Sequence, residues 1–491
     1  MRGSPLPFPR LRRPLSAALP GLFTLGLMAA ILPASAAGAA DFAPTTAPRE
    51  MFKAHRERFL SKLALGSVAI LHGAPLRMMS NDTEYLYRQD SDFYYLTGLE
   101  DPDAIALFRP GAPDGKRYIL FVRARDPRAE AWQGPRPGPE GAVATFGADA
   151  AFPITEFQDS LARSEGRGAI AGYLAGVDTL YLWDGGDEKW SNRFRETLTT
   201  LRGHGAGPAT VTDAREILHE LRVVKDADEL ALLRRASEIS ARAHIVAMGV
   251  AAPGRYEFEV QHALDGACGS NGVRRMAYPS IAASGPNSVF LHWDRNDRQL
   301  ADGDLLLNDS GAEYGYYAAD VTRTYPVNGR FTTEQRAVYE VVLAAQKAAI
   351  ARIRPGVTHD EIEQASARAQ TEGLVRLGLL SGDVDRLVGE RAYFKFTKHG
   401  ISHWVGMDVH DPGRYRVGSA SRTLAPGMVL TIEPGIYIPA DMAGVDRKWW
   451  NIGVRIEDTL AVTAGGSECL SCGAPREVAD VEKAVRKRVE R

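Results

Sequence analysis

The sequence predicts an α/β domain over residues 40–222, followed by an α+β domain over residues 223–475. Its 491 residues exceed what a single hydrophobic core usually organises, so two folded domains are expected. Short apolar strands alternate with helices up to about residue 210, which is the pattern of an α/β domain. A long charged helix then precedes a region in which strands flank a pair of helices. We place the domain boundary near residues 220–226.

The first 39 residues have the three-part pattern of a secretory signal peptide. Arginines at positions 10, 12 and 13 give a basic start, residues 15–32 are largely apolar, and small residues follow. Cleavage after Ala36 or Ala39 fits this pattern and predicts an exported protein, either periplasmic or secreted. The alternative is an uncleaved membrane anchor, because about 18 apolar residues nearly span a bilayer. Pro20 and the small residues favour cleavage.

The elements of the first domain are predicted from their periodicity. Residues 49–64 carry apolar residues at helical spacing among many charges, which predicts a helix. Residues 67–73, 116–124 and 178–184 are short apolar runs, which predict buried strands. Residues 168–176 fit either a helix or a strand.

The second domain begins with a helical pattern over residues 214–250, with a predicted break at Lys225 and Asp226. Gly378 and the Pro355–Gly356 pair end two further helices. A polar, charged tail is expected over residues 476–491. The remaining predicted strands and helices cover, in order, residues 305–311, 320–327, 332–354, 358–378, 428–438 and 454–463.

Composition narrows the range of partners. Hydrophobic residues make up 45% of the chain, charged residues 24%, and the formal net charge is −2. This is ordinary globular composition, and it predicts neither a nucleic-acid partner nor a stable membrane partner after signal cleavage.

The chain has three cysteines, and two of them, Cys469 and Cys472, form a CxxC motif. In an oxidising compartment this motif closes a small disulfide loop. A redox pair and half of a zinc site are the alternatives. Both are disfavoured, because the motif stands in a polar region without further Cys or His ligands nearby. Cys268 stands alone.

Four acids stand inside apolar, β-prone runs: Asp309, Asp320, Glu433 and Glu457. Burying an unpaired carboxylate costs on the order of several kcal/mol, so each of these acids needs a positive partner. Arg323 is close in sequence to Asp320, and Arg455 is close to Glu457. These two arginines are one possible source of positive charge. Divalent metal ions are the better candidates, because one ion neutralises several carboxylates at once.

Histidines cluster beside these acids in the segment HGISHWVGMDVHD. It contains His399, His403 and His410, although the whole chain has only 11 histidines. His292 is a fourth, at the end of an apolar stretch predicted as a strand. Carboxylates with one imidazole form an oxygen-rich ligand set, which favours Mn²⁺, with Co²⁺, Fe²⁺ or Zn²⁺ as possible substitutes. Two ions about 3.5–4 Å apart would share a bridging water and convert it to hydroxide near neutral pH.

These motifs resemble those of the M24 metallopeptidase family with its pita-bread fold, and within it the Xaa-Pro aminopeptidases (aminopeptidase P). The matching stretches are LNDSGAEYGYYAADVTRTYPVNG, HGISHWVGMDVHD, GMVLTIEPGIYI and GVRIED, in the order found in the family. The segment RQDSDFYYLTGLEDPDA resembles the first domain of the same enzymes. The resemblance covers roughly residues 49–470. It implies a metal-dependent exopeptidase, a hydrolase that cleaves the N-terminal Xaa-Pro bond through a hydroxide bridging two divalent ions, most often Mn²⁺.

The resemblance also implies a set of metal ligands: Asp309, Asp320, His403, Glu433 and Glu457. Asp320 and Glu457 stand at the positions of the family's bridging carboxylates. Asp309 would bind one ion, and His403 and Glu433 the other. All five ligand types are present, which argues for an active enzyme.

Further roles are carried over in the same way. Glu433 would also move a proton during catalysis, and His292 and His410 would hold the substrate and steady the tetrahedral intermediate. The expected substrate-binding residues are His399, Arg455 and Tyr437, with Arg455 supporting the metal ligands. The implied substrates are peptides with proline in second position, and family membership also implies a homo-oligomer.

Other readings remain open at this stage. Prolidase has the same fold and ligands but cleaves only dipeptides; residues 91–98 and the Ser402–Trp404 tripeptide favour aminopeptidase P. Methionine aminopeptidases mostly lack a large first domain. A non-catalytic peptide-binding relative would usually have lost metal ligands. A creatinase-type hydrolase has no specific support.

Overall fold

The computed structural model describes residues 47–162 and 169–487. The predicted signal peptide lies outside that part of the chain and stays a prediction. The described residues belong to one compact unit. None of the helices among them combines the length and the apolar character that crossing a bilayer requires.

The elements up to residue 223 are, in order, α1 Arg49–Lys62, β1 Ser67–His72, β2 Met78–Ser80, β3 Thr83–Glu84, α2 Ser91–Thr97, β4 Ile105–Phe108, β5 Tyr118–Val122, α3 Pro127–Gln133, α4 Gly138–Phe146, β6 Ala150–Pro153, α5 Ile154–Ala162, α6 Ala169–Leu174, β7 Thr179–Trp183, α7 Glu188–Gly203, β8 Thr210–Asp213 and α8 Arg215–Val223. The segment that fitted either a helix or a strand is therefore helical, as α6.

A six-stranded mixed sheet organises this part, in the order β6-β5-β4-β1-β7-β8. β1 pairs antiparallel with β4 and parallel with β7. Successive side chains of β1 point to opposite faces: Val68 shares an apolar cluster with Phe194 of α7, and Leu71 shares another with Phe59 of α1. Helices thus cover both faces of the sheet, which confirms the predicted α/β architecture.

The elements from residue 227 onward are α9 Ala227–Val250, α10 Glu257–Gly269, β9 Arg275–Met276, β10 Ile281–Ser284, β11 Leu305–Asp309, β12 Ala312–Tyr314, β13 Tyr317–Ala318, β14 Thr322–Pro326, α11 Thr333–Ile350, α12 His359–Arg376, α13 Val384–Gly389, β15 Arg416–Val417, β16 Ala420–Ser421, β17 Val429–Ile432, β18 Gly435–Ile438, β19 Ile452–Arg455, β20 Asp458–Thr463, β21 Gly466–Cys469 and α14 Val478–Arg486.

Small antiparallel sheets form the centre of this second part. Their strand orders include β10-β11-β14, β17-β20-β21 and the pair β18-β19. Leu306 of β11 and Val454 of β19 share one apolar cluster with Ile239 of α9, Val338 of α11 and Leu374 of α12. Helices pack against a set of antiparallel strands, so the predicted α+β class is also confirmed.

The predicted break in the long helix is confirmed. α8 ends at Val223 and α9 begins at Ala227, with Asp226 as its N-cap. The Asp226 carboxylate accepts hydrogen bonds from the backbone of Asp228 and Glu229, and the Glu229 side chain accepts one from the Asp226 backbone. This capping box starts a new helix after the break.

Two sequence predictions differ from the structure. The stretch containing His292 was expected to be a strand, but a 3₁₀ helix over Gly285–Val289 and a turn occupy it; Gly285 has a φ of 51°, which ends strand β10. The charged segment after residue 475 includes helix α14, whose Val481 and Val485 are buried. Two apolar residues four apart suffice to dock a short helix.

Cys469 and Cys472 form a disulfide, with Cα atoms 5.6 Å apart. The predicted small disulfide loop is therefore present, and both sulfurs are engaged in it. Cys268 is a buried free thiol.

Candidate active site

The predicted metal ligands stand where strands end or are interrupted. Asp309 is the last residue of β11, and Asp320 lies two residues before β14. Glu433 lies in the gap between β17 and β18, and Glu457 in the gap between β19 and β20. Neighbouring segments hold these gaps: the Glu433 backbone donates to Ile401 O at 2.8 Å and the Glu457 backbone to Thr322 O at 3.1 Å.

The five predicted ligands line one cavity of 560 Å³. His403 Nε2 lies 3.2 Å from Asp320 Oδ2 and 3.3 Å from Glu433 Oε1. Ligand atoms of Asp320, His403 and Glu457 all lie within 4.8 Å of one another. Residues that are up to 148 positions apart in the sequence (309 to 457) thus converge on one small volume.

The electrostatics of this cluster show a surplus of negative charge. Burial and repulsion from Asp309 raise the pKa of Asp320, although the hydrogen bond from His403 opposes this. Burial raises the pKa of Glu457 well above its usual range, and repulsion from Asp320, Glu433 and Asp309 adds to the effect. Against the effect of burial, the hydrogen bond and charge of His403 and the charge of Arg455 lower the pKa of Glu433 to about 2. These two cations do not compensate all four acids.

This donor set fits divalent metal ions. Four carboxylates and one imidazole converge, and hard cations prefer oxygen-rich ligands of this kind. The imidazole is already oriented: His403 Nδ1 lies 3.0 Å from Trp404 O, to which it can donate, and this leaves Nε2 facing Asp320 and Glu433. Fixing one ring nitrogen by a backbone carbonyl is the usual arrangement of a metal-binding histidine.

Three further predicted residues line the same cavity: His292, His399 and His410. The rings of His403 and His410 meet edge to face, with centroids 4.3 Å apart. Burial and the neighbouring His403 lower the pKa of His410. Burial lowers the pKa of His399, whose Nδ1 lies 3.6 Å from Glu433 Oε2.

Arg455 lines the cavity, and Tyr437 contacts it from behind the lining. The Arg455 guanidinium donates to Asp309 Oδ2 at 2.5 Å and to the Tyr437 hydroxyl at 2.9 Å. Tyr437 is fully buried, and its hydroxyl lies 2.8 Å from His399 Nε2. The structure thus places Tyr437 behind the cavity wall, where it holds His399 and Arg455, and does not place it on the lining.

Tyr278 is a site residue that sequence reasoning missed. Its hydroxyl lies 2.6 Å from Asp309 Oδ1 and 2.7 Å from Asp320 Oδ1, and it joins the two carboxylates. Burial and these acids raise its pKa well above the usual range. The stretch MAYPS around it carries no recognisable signal, so only the fold could reveal it.

The cavity lining also includes apolar side chains. Pro279, Ile281, Leu291 and Val409 line it beside the histidines. A cavity lined by both polar groups and apolar side chains can orient a small hydrophobic ring against a reactive centre.

Two acids of the histidine-rich segment lie elsewhere. Asp411 pairs with Arg222 at 2.6 Å and with Lys225 at 3.1 Å, and Asp408 pairs with Arg222 at 2.7 Å. The same segment therefore contributes its histidines to the cavity and its aspartates to a separate ionic cluster.

Comparisons with known proteins agree with this geometry. The model of Metallopeptidase family M24 matches residues 231–464, and that of the Aminopeptidase P, N-terminal domain, matches residues 52–170. The Xaa-Pro aminopeptidase of Escherichia coli (strain K12) is 38% identical over 438 residues, which cover 88% of this chain and 97% of that protein.

Solved structures match over most of the chain. Aminopeptidase PepP of Pseudomonas aeruginosa superposes with a TM-score of 0.86 at 43% identity, covering 90% of this chain and 99% of that one. Zn-substituted aminopeptidase P of E. coli in complex with product gives a TM-score of 0.85 at 37% identity, covering 91% and 100%.

Proposed function

This chain belongs to metallopeptidase family M24, in its aminopeptidase P group, and we propose that it removes the first residue from peptides that carry proline in second position. The chain is a metal-dependent aminopeptidase with an aminopeptidase P amino-terminal domain and a pita-bread catalytic domain. One observation carries the proposal further: the five residues of the family's ligand set converge on a single cavity.

The proposed ligands divide into two groups. Asp320 and Glu457 would be shared by two divalent ions, Asp309 would complete one site, and His403 and Glu433 the other. Bound there, the ions would supply an activated water and polarise the scissile carbonyl. Arg455 and Tyr278 would hold Asp309 in place through the hydrogen bonds described above.

The chain's own groups then perform the proton transfers. Glu433 would accept a proton on its carboxylate from the attacking water and pass it to the proline nitrogen, which must leave as an amine. His292 and His410 would donate hydrogen bonds to the carbonyl oxygen as it gains negative charge. The free amino group of the peptide would face the acids, which limits cleavage to the first bond.

Proline in second position suits this cavity. The imide nitrogen of an Xaa-Pro bond carries no hydrogen, so strand-like pairing to the enzyme loses one hydrogen bond at this position. Strong polarisation of the carbonyl compensates for that loss. The apolar lining residues Pro279, Ile281, Leu291 and Val409 would offer contacts for the pyrrolidine ring.

The test is hydrolysis of a Xaa-Pro-Xaa tripeptide by chelator-treated protein, with and without added Mn²⁺. Metal-dependent release of the first amino acid alone is expected. Cleavage of an Xaa-Pro dipeptide without cleavage of the tripeptide would assign a prolidase instead. Metal binding with neither cleavage would contradict the proposed activity.

We propose Mn²⁺ as the native ion among divalent metals. The donor set is four carboxylates and one imidazole without thiolate, which suits Mn²⁺ better than softer ions. Activity of the metal-free protein titrated with Mn²⁺, Co²⁺, Fe²⁺ and Zn²⁺ in parallel tests this. The highest kcat with an ion other than Mn²⁺ would reassign the metal.

We propose that the protein is exported through its first 39 residues. The three-part pattern of that segment supports this, and so does the Cys469–Cys472 pair, because stable disulfides belong to oxidising compartments. Deleting residues 1–39 is expected to leave the purified enzyme active and to retain it in the cytoplasm. If the purified enzyme without residues 1–39 were inactive, the proposal that this segment serves only export would be contradicted.

A homo-oligomer is also proposed. Trp132 is 91% exposed, and Met79, Tyr85 and Leu86 are exposed in and beside the β2–β3 hairpin. Large apolar side chains in solvent are typical of surfaces that bury themselves against another chain. Light scattering on the purified protein distinguishes a monomer from a larger assembly.

A further inference from the structure

The disulfide turn lies directly behind the proposed bridging carboxylates. Cys469 ends β21, opposite Leu460 of β20, and the chain then turns through residues 470–475 without regular secondary structure. The disulfide ties Cys472 in this turn back to the end of β21. Residues of β20 follow Glu457 immediately, so the turn packs on the strand that directly follows a proposed ligand.

Ser471 is the residue that this turn inserts into the protein. It is fully buried. Its Oγ accepts a hydrogen bond from the Thr459 backbone at 3.0 Å and donates to Asp458 Oδ1 at 2.7 Å. Ser471 therefore contacts the two residues that directly follow Glu457.

Thr459 links Ser471 to the backbone of Asp320. Its hydroxyl donates to Asp320 O at 2.8 Å and lies 3.2 Å from the Asp320 backbone nitrogen, which donates to it. One side chain thus fixes both backbone polar groups of a proposed bridging ligand.

Asp458 links Ser471 to the backbone of Glu457 through Arg323. It binds Arg323 at 2.7 Å, and both side chains are fully buried. Arg323 also donates to Glu457 O at 2.5 Å and to the turn itself, at Ala474 O and Pro475 O, both 3.0 Å away. The turn, the ion pair and the backbone of Glu457 are therefore one hydrogen-bonded unit.

We propose that Ser471, held in place by the Cys469–Cys472 disulfide, is a positioning residue for Asp320 and Glu457, and that reduction of this disulfide weakens divalent-metal binding. The proposal rests on the proposed function and deepens it. Residues that orient metal ligands typically change metal affinity about 10–100-fold when they are altered.

The disulfide is open to attack. Both cysteines are half-buried, and Cys472 borders a surface cavity of 480 Å³. A dithiol reduces the bond by exchange: its thiolate attacks one cysteine sulfur, the S–S bond breaks, the two cysteines become thiols and the dithiol closes into its own disulfide. The turn is then free to withdraw Ser471.

The test measures Mn²⁺ binding by titration calorimetry on the full enzyme before and after reduction with a dithiol that is removed by desalting. Thiol titration of the denatured protein confirms whether the disulfide is intact or reduced. Reduction is expected to raise the Mn²⁺ dissociation constant about tenfold. In the activity assay, kcat should fall at limiting Mn²⁺ and recover at saturating Mn²⁺. An unchanged dissociation constant would overturn the proposal.

Variants separate positioning from mere support of the fold. The double variant Cys469→Ser/Cys472→Ser should bind Mn²⁺ as weakly as the reduced enzyme and should not respond to the dithiol. Ser471→Ala should weaken Mn²⁺ binding, and Ser471→Thr, which keeps the hydroxyl, should restore much of it. Ser467→Ala is the matched control, because Ser467 lies in β21 opposite Val462.

The outcomes are distinct. A lower melting temperature of Ser471→Ala and of the reduced enzyme, with unchanged Mn²⁺ affinity, would make the turn purely structural and overturn the proposal. Failure of the proposed function would show separately, because the oxidised wild-type enzyme would not cleave the tripeptide.

Discussion

Two groups of buried and half-buried acids in this chain are neutralised in opposite ways. The first, which we call the site cluster, consists of Asp309, Asp320, Glu433 and Glu457. The second, the junction cluster, joins α2 and α8 to the histidine-rich segment and consists of Asp92, Asp408 and Asp411 with Arg222 and Lys225. In the junction cluster Arg222 alone contacts all three acids, at 2.6–2.8 Å.

The two clusters differ in how far side-chain cations offset the effect of burial on the pKa values of the acids. Burial raises the pKa of any carboxyl group, but in the junction cluster Arg222 reverses this, and the pKa values of Asp92 and Asp408 are lowered. In the site cluster His403 and Arg455 outweigh burial only at Glu433, whose pKa is lowered to about 2. At Asp320 and Glu457 neighbouring acids add to burial, and the pKa values are raised. A buried group of acids therefore indicates a metal site only where side-chain cations do not already neutralise it.

The largest expected effect comes from the site cluster. Asp320→Asn should remove a shared metal ligand and lower kcat/KM about a thousandfold or more, because metal ions supply several kcal/mol of transition-state stabilisation. The metal-free variant should unfold at the same temperature as the metal-free wild type or a higher one, since one of four repelling charges is gone. Steady-state kinetics and thermal unfolding in chelator check both expectations.

The matched control is Asp114→Asn, at a side chain that is 96% exposed in the first domain. Asp114→Asn should change neither kcat/KM nor the unfolding temperature of the metal-free protein. A metal-free Asp320→Asn protein that unfolds well below the metal-free wild type would show that the site cluster is neutralised within the protein, and the contrast with the junction cluster would fail.

The junction cluster should respond in the reverse manner. Arg222→Met removes the cation that contacts Asp92, Asp408 and Asp411, and it leaves Asp92 and Asp411, which are buried, without their shared arginine partner. Losing one partner of a buried ion pair costs about 3–5 kcal/mol. Urea unfolding should show a loss of that order, whereas activity per folded molecule should fall much less than in Asp320→Asn.

Arg215→Met, on the same helix, is the control for this change. Arg215 pairs with Asp213, and both side chains are more than a third exposed. Such surface pairs contribute at most about 1 kcal/mol. Equal losses in the two variants would mean that burial does not strengthen the junction cluster.

The fold was largely predictable because its signals are local. Short apolar runs such as residues 67–73 and helical patterns such as residues 358–378 contain their own periodicity. The turn after Gly285 and the docking of α14 were not predicted. In both cases the conformation of a few residues depends on contacts with distant parts of the chain, and a local sequence pattern does not predict it.

The candidate site was predictable only in part. Asp309, Asp320, Glu433 and Glu457 stand out because each interrupts an apolar stretch. Tyr278 does not stand out, because its function depends on two carboxylates that lie 31 and 42 residues away. Nor could the sequence separate His403 from Asp408 in one segment, since the partner of Asp408 is Arg222, 186 residues earlier.

The smallest expected effect concerns a third group of acids, Asp226 and Glu229. Their partner His55 is a cation only while its imidazole is protonated. His55 is fully buried, and its Nε2 lies 3.1 Å from Asp226 Oδ2 and 3.5 Å from Glu229 Oε2, with Arg58 beside both acids. Burial acts to lower the pKa of His55, but the hydrogen bonds to Asp226 and Glu229 outweigh it and the pKa is raised. Tyr95 also faces this group and keeps its proton, because burial raises its pKa as well.

The sign of the pH dependence follows from that raised pKa. The folded protein holds the His55 proton more tightly than the unfolded chain, so the stabilisation is complete below about pH 6.5, the ordinary histidine pKa, and is lost as pH rises through the folded value. The free energy of unfolding of wild type minus that of His55→Gln should therefore shrink as the pH rises above about 6.5. The control His204→Gln, at an exposed histidine, should show no such trend. A difference that stays constant with pH would mean that His55 contributes packing only, and that this group is neutralised by Arg58, as the junction cluster is by Arg222.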